Sequence, residues 1–345
     1  MGGATLPRSS RDLSSKSPGY PGDDSLDIAR RREPRALWQT GRGAARRGVG
    51  FHIPVMAERV AGDSCGNVVT RFAPSPTGFL HLGHVYAASV AWHAARRARG
   101  RFLVRLEDID PQRCRAEFAA AILEDLAWLG FSADAPIRRQ SEHMDDYQAA
   151  LSQLAARGLV YPCFCSRADI AREIAAAGAA PHAAEAAYPG TCRHLAPATR
   201  ATRLASGNPH AWRLDIAAAL AGAPALRFFE IGEGWSPATP AAHFGDVVLA
   251  RRHVPASYHL CVTHDDARQG VTLVTRAVDL KPATHLHVLL QHLLGWPTPA
   301  YRHHRLLQGA DGERLSKRNG APPVRALRAQ GLTPRQVIRQ AHMKP

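Results

Sequence analysis

The stretch that most constrains this chain runs Arg71-Phe72-Ala73-Pro74-Ser75-Pro76-Thr77-Gly78-Phe79-Leu80-His81-Leu82-Gly83-His84. It follows a short apolar run, Val68-Val69-Thr70, and precedes a long helix-compatible segment. A strand, a tight Pro/Gly-rich turn and a helix opened by two histidines around a glycine form the geometry of a phosphate site. The first turn of a helix leaves N–H groups unpaired and carries partial positive charge. Gly83 lets a ligand approach the backbone closely. His81 and His84 are placed to donate hydrogen bonds to phosphoryl oxygens as charge builds on them. The same residues also fit an ordinary loop with surface histidines, so a second motif has to decide.

That motif lies near the C-terminus, where an Asp311-Gly312 turn leads into Glu313-Arg314-Leu315-Ser316-Lys317-Arg318. A Ser-Lys loop is a second place to hold a triphosphate. Arg71 to Gly78, His81-Leu82-Gly83-His84 and Leu315-Ser316-Lys317 together resemble the signatures of class I aminoacyl-tRNA synthetases. The first two are similar to the "HIGH" region and the third to the "KMSKS" loop. The Arg71–Gly78 form is that of the glutamyl-type enzymes. The resemblance implies a Rossmann-like catalytic domain that binds ATP through Pro74, His81, Gly83, His84 and Lys317. His81, His84 and Lys317 would be its catalytic residues, and Mg²⁺ would accompany ATP.

Charge agrees with such a partner. Lys and Arg number 44 against 29 Asp and Glu, a formal net charge of +15. That balance favours a polyanion without choosing between RNA, DNA and a solubility effect. No apolar run approaches the roughly 20 residues that span a membrane. Six cysteines in 345 residues make no disulfide framework. The expectation is a soluble, cytoplasmic protein that works as a monomer.

Residues 1–66 differ from the rest. They are rich in Arg, Gly, Ser and Pro, with no sustained apolar periodicity. Such a segment cannot bury enough apolar surface to offset chain entropy, and it lacks the apolar stretch of a secretory signal. A disordered basic extension is expected, serving either as a nucleic-acid-binding tail or as translated sequence upstream of a start at Met56.

From residue 67 to 321 strands and helices alternate, as in an α/β fold. Val85 to Arg99 is Ala-rich and helix-compatible, with Gly100 as its stop. Phe102 to Glu107 reads as a strand with Leu103, Arg105 and Glu107 on one face and Phe102, Val104 and Leu106 on the other. Phe118, Ile122, Leu126 and Leu129 recur at helical spacing before Gly130. The order implies a parallel sheet with crossover helices, and ligands in such folds bind at the carboxyl ends of the strands.

An acidic substrate fits the polar residues of these segments. Arg71 ends the first strand and can pair bidentately with a carboxylate. Glu107 is suited to a substrate ammonium, or else to a structural salt bridge. Ser257-Tyr258-His259-Leu260 and Thr275-Arg276-Ala277-Val278-Asp279-Leu280 resemble two further amino-acid-binding segments of the family. The glutamate site implied is Arg71, Phe72, Ala73, Pro74, Ser75, Glu107, Tyr258 and Arg276. The family usually has Arg-Gly where this chain has Arg276-Ala277; if position 277 needs positive φ, Ala277 strains the backbone.

A metal site is the next constellation. Cys163-Phe164-Cys165 precedes Tyr188-Pro189-Gly190-Thr191-Cys192. Three thiolates suit Zn²⁺, which takes four tetrahedral ligands; His182, His194 and Tyr188 are the candidates for the fourth. Buried unpaired cysteines are the alternative. A Cys-x-Cys pair followed by Tyr-x-x-x-Cys is similar to the zinc site of the glutamyl-Q tRNA(Asp) synthetases, a truncated branch of the glutamyl enzymes. That resemblance implies one zinc on Cys163, Cys165, Tyr188 and Cys192, in an inserted subdomain at about 160–195. The Ala-rich connector from Ser166 to Ala187, helix-compatible at Ile170 to Ala177, is longer than is typical. Cys65, Cys114 and Cys261 follow no ligand pattern and are read as bystanders.

Length separates the members of the family. Only 28 residues follow Lys317. The helical anticodon region of a glutamyl-tRNA synthetase does not fit there, nor does the β-barrel of a glutaminyl enzyme. Residues 322–345 are expected to be a short tail, eroded at its end, in which Thr333 caps a helix opened by Pro334. The truncated branch implies ATP-dependent glutamate activation, then transfer to the queuosine base at the wobble position of tRNA(Asp). A compact glutamyl-tRNA synthetase charging a tRNA 3′ end and a catalytically inactive RNA-binding relic are the alternatives.

Overall fold

The structure, a computed structural model, describes residues 68–170, 188–251, 254–308 and 322–343. These all lie in one compact unit, His52–Pro345. Lys317, Leu315, Ser316, His182, Cys65, most of the 166–187 connector and the 1–66 extension lie outside the described residues.

Strand β1 (Val69–Phe72) pairs in parallel with β2 (Arg101–Leu106), and β2 with β3 (Arg138–Arg139). Their turns enclose helix α1 (Leu82–Arg97) and helix α2 (Ala116–Leu129). The expected split of β2 is present. Phe102, Val104 and Leu106 pack with α1 and α2, whereas Leu103 joins a second cluster with Val69, Val274 and Tyr301. Helix α3 (Met144–Ala156) follows.

Within residues 157–256, three of the five strands form a separate layer. Here β4 (Val160–Cys163), β5 (Ala211–Leu214) and β8 (Val247–Arg251) make an antiparallel sheet in the order β4-β5-β8. This layer also carries the short helices α4 (Pro197–Ala205), α5 (Ile216–Ala221) and α6 (Pro240–His243). The connection between α5 and α6 contributes β6 (Arg227–Glu230) and its antiparallel partner β7 (Gly234–Pro237).

The chain re-enters the first layer through α7 (Tyr258–Arg268), β9 (Leu273–Ala277), α8 (Lys281–Leu294) and β10 (Ala300–His304). β10 is parallel to both β9 and β6. Just before β9, the Thr272 amide donates to the Val69 carbonyl at 3.0 Å and Val69 donates to Thr272 Oγ1 at 2.9 Å. β1 therefore has β2 on one side and β9 on the other. Strand order reverses at β1, and an open α/β sheet binds its ligand at such a switch point.

Three expectations change in the structure. Helix α1 begins at Leu82, three residues before the Ala-rich run, because His81 caps it. It ends at Arg97, and Arg99 rather than Gly100 takes the left-handed conformation, with φ 50°. Gly100 serves close approach instead: a Cβ there would lie 1.9 Å from the Val68 carbonyl oxygen. Lastly, residues 322–343 are no loose tail. Helices α9 (Val324–Ala329) and α10 (Pro334–Met343) place Val324, Leu327, Val337 and Ala341 in the same apolar cluster as α1 and α2. Pro334 opens α10 as expected, with Thr333 and Gln336 exchanging cap hydrogen bonds. Among the described residues no helix is long and apolar enough to cross a membrane.

Candidate functional site

At the carboxyl ends of β1 and β9 lies a cavity of about 500 Å³. Its walls include Arg71, Phe72, Ala73, Pro74, Ser75, His81, Gly83, His84, Glu107, Tyr258 and Arg276. Every described residue that the sequence assigns to ATP or glutamate therefore reaches one space.

One end of the cavity is built on the cap of α1. His81 Nδ1 accepts the Gly83 amide at 3.1 Å, and His84 Nδ1 accepts the His81 amide at 3.2 Å. The two rings lie 3.9 Å apart between centroids. Satisfying orphan amides of the first turn needs an acceptor nitrogen on each ring. In the neutral rings the proton then sits on Nε2, leaving each histidine a donor. Gly83 has a steric reason besides ligand approach: a Cβ would meet His81 Cε1 at 2.9 Å and push the ring from its capping position.

The other end rests on a buried ionic network. Arg71 Nε donates to Asp266 Oδ1 at 2.9 Å and its Nη1 to the Thr275 carbonyl at 3.0 Å. Arg105, fully enclosed at 0% exposure, donates to the same Asp266 oxygen at 2.8 Å and to Glu107 at 3.2 Å. Burial works against the charge of Asp266, but Arg71 and Arg105 hold its carboxyl below the usual range. Glu107 goes the other way: burial pushes its carboxyl up, with Arg105 and Arg71 offsetting part of the rise. A substrate ammonium is the kind of partner that would bring it down.

Arg71 thus spends part of its fork on Asp266 and Thr275, so it is less open to a bidentate substrate contact than its position in the sequence suggests. Arg276 has a different setting. Its Nε, Nη1 and Nη2 donate to His303, His287 and Thr284, at 3.2, 3.1 and 2.7 Å. None of these is a carboxylate. Ala277 has φ −74°, so position 277 needs no glycine and the expected strain is absent. Tyr258 sits at the first position of α7, after the Ser257 cap.

A second cavity, of about 680 Å³, shares Ser75, Thr77, Glu107 and Tyr258 with the first and extends to Tyr188, Arg213, Asp246 and His259. It lies against the layer of β4, β5 and β8.

The cysteine constellation is also assembled. The Sγ atoms of Cys163, Cys165 and Cys192 all lie within 4.8 Å of one another. Tyr188 Oη lies 3.3 Å from Cys163 Sγ and 3.5 Å from Cys165 Sγ, and it accepts the Cys192 amide at 2.9 Å. His194 is exposed and outside this group. Of the cysteines read as bystanders, Cys261 is buried in α7 and Cys114 donates to the Glu107 carbonyl at 3.8 Å.

Sequence reasoning missed Arg105, Asp266, His287, His303 and Thr284. Alternation had placed Arg105 beside Glu107 on β2, which was the available signal. The others come from α7, α8 and β10, and only packing brings them to β1.

The comparisons agree with this geometry. Residues 67–342 match the family "tRNA synthetases class I (E and Q), catalytic domain". A glutamyl-Q tRNA(Asp) synthetase of Rhodobacter capsulatus is 46% identical over 280 residues, covering 79% of this chain and 99% of the relative. One from Symbiobacterium thermophilum is 41% identical, covering 78% and 83%. A glutamate tRNA ligase from Elizabethkingia meningosepticum, solved in complex with its amino acid, superposes with a TM-score of 0.62 at 29% identity. The match covers 74% of this chain but only 52% of that structure, so this chain spans about half of the solved ligase. With the described part of its first signature, Arg71 to His84, lining the cavity at the sheet switch point, the chain belongs to the class I tRNA synthetases of the E and Q type, as a ligase-type enzyme of the glutamyl-Q tRNA(Asp) synthetase family.

Proposed function

We propose that this enzyme activates glutamate with ATP and transfers it to the queuosine base at the wobble position of tRNA(Asp). The observation that carries this reading is the single cavity at the β1–β9 switch point, which joins the two capping histidines to Arg71, Glu107, Tyr258 and Arg276.

In the first step a glutamate α-carboxylate oxygen attacks the α-phosphorus of ATP, the α–β anhydride bond breaks, and pyrophosphate leaves. The substrate is its own nucleophile, so positioning and charge stabilisation supply the catalysis. Nε2–H of His81 and His84 would donate to the phosphates. Lys317, in the Ser316-Lys317 motif, would stabilise the departing pyrophosphate, and Mg²⁺ would accompany the nucleotide. Glu107 would take the substrate ammonium, with Arg276, Tyr258 and the remaining edge of Arg71 on carboxylate oxygens. In the second step an acceptor oxygen attacks the activated acyl carbon and AMP leaves. The larger cavity meets the first at Glu107 and Tyr258, where that carbon would lie. The names of the relatives point to queuosine of tRNA(Asp) as the acceptor, and the basic charge suits RNA.

The donor set fits zinc. Tetrahedral Zn–S bonds of about 2.3 Å separate sulfurs by roughly 3.8 Å, and Cys165 and Cys192 lie 3.4 Å apart. Cys163, Cys165, Tyr188 and Cys192 would hold one ion in a structural role. We place the enzyme in the cytoplasm as a monomer, where it would meet charged nucleotide and tRNA.

Glutamate-dependent ATP–pyrophosphate exchange without tRNA tests the first step. Acceptor assays with queuosine-containing and queuosine-free tRNA(Asp) test the second. Acceptance only with queuosine, insensitive to removal of the terminal adenosine, supports the reading. Charging abolished by that removal would assign a compact glutamyl-tRNA synthetase, and RNA binding without exchange an inactive relic.

A further inference from the structure

Arg71 and Arg105 each touch a carboxylate, whereas Arg276 touches none among the described residues. Its side chain is nearly enclosed, at 6% exposure, yet its partners among the described residues are two imidazoles and a hydroxyl. An arginine can only donate, so His287 Nδ1 and His303 Nε2 must accept. Each ring is then neutral, and its proton lies on the opposite nitrogen. For His303 that is Nδ1, 2.7 Å from Glu230 Oε2, while the same carboxylate takes the His303 amide at 2.7 Å. For His287 it is Nε2, 3.1 Å from His259 Nδ1. Burial, then Arg276 and His259, hold His287 well below its usual range, which keeps the ring neutral.

We propose that His287, His303 and Thr284 are positioning residues that fix the Arg276 fork while leaving its charge, among the described residues, without a directly bonded anion, so that the side-chain carboxylate of the substrate becomes its first-contact counter-ion. This rests on the reading of the site as a glutamate site. A carboxylate at any of the three positions would hold the fork equally well but would also satisfy it. Glu230, the acid nearest this cradle in the hydrogen-bond chain, is kept one imidazole ring away. The arrangement favours glutamate over glutamine because an amide cannot complete the pair.

Paired variants test the idea by ATP–pyrophosphate exchange with glutamate and glutamine. Thr284→Asp brings a carboxylate to Arg276. It should leave the thermal midpoint and the KM for ATP near wild type while the KM for glutamate rises about 10–100-fold, the span of one charge-assisted contact. The preference for glutamate over glutamine should fall with it. Thr284→Ser keeps the hydroxyl and should behave as wild type. His287→Asn, whose amide oxygen can stand in for Nδ1, should retain more selectivity than His287→Leu. Unchanged glutamate KM and selectivity in a folded Thr284→Asp enzyme would overturn the proposal. Absence of glutamate-dependent exchange in the wild-type enzyme would instead overturn the glutamate reading itself.

Discussion

His84 Nδ1 accepts the backbone N–H of His81 at 3.2 Å, so the side chain that helps cap α1 also lines the cavity at the β1–β9 switch point. Capping uses Nδ1 and the proposed phosphate contact uses Nε2–H, so the two roles are separable. Asparagine can imitate Nδ1 but has no counterpart of Nε2–H. His84→Asn should therefore retain the melting temperature and lose about 100-fold in exchange rate, as for removal of one transition-state donor. His84→Ala should lose the same rate and about 1 kcal/mol of stability as well. A His84→Asn enzyme with wild-type exchange would show that the ring acts only as a cap.

Glu107 carries a prediction about protons. Burial raises its carboxyl pKa in the free enzyme, and a bound ammonium favours the carboxylate. Glutamate binding should therefore release protons, and kcat/KM for glutamate should fall as pH drops through the raised pKa. Calorimetry in buffers of different ionisation enthalpy reads the release directly. It should vanish in Glu107→Gln. Proton uptake on binding would contradict the assignment.

Asp125 on α2 makes a stability prediction. Burial, with Glu124 adding to it and Arg325 and Arg328 offsetting part, pushes its carboxyl up to about 6. Its Oδ2 has no hydrogen-bond partner among the described residues. An acid whose folded pKa exceeds its unfolded value favours the folded state only while protonated, so stability falls as pH rises from about 4 to about 6. Asp125→Asn should stabilise the protein by about 1–3 kcal/mol at neutral pH, with little gain near pH 3.5. Urea unfolding at both pH values checks the sign.

The cysteine group predicts one zinc per chain by elemental analysis. Cys192→Ser should lose the metal and increase hydrogen exchange around β4 and residues 188–195, leaving the α1 cap and the nucleotide site assembled. Metal retained in Tyr188→Phe would keep the zinc but reassign its fourth ligand. Folded, zinc-free protein would remove the site.

Local chemistry made much of this protein legible in its sequence. Helix α1 opens at its two histidines, β2 sorts its side chains by alternation, Pro334 opens α10, and four residues with metal-ligand spacing converge as expected. Each of these depends on neighbours along the chain or on a spacing that resembles a family motif. Tertiary structure decided the remainder. Asp266 reaches Arg71 across 195 residues, and Thr284, His287 and His303 surround Arg276 only because α8 and β10 pack beside β9. It also turned the expected tail into core, since Val337 and Ala341 find their apolar partners on helices formed more than 200 residues earlier. Sequence periodicity reports which face of an element is apolar. Which charges will share one buried oxygen, and which will be left for a substrate, depends on distances that exist only after the sheet has closed around them.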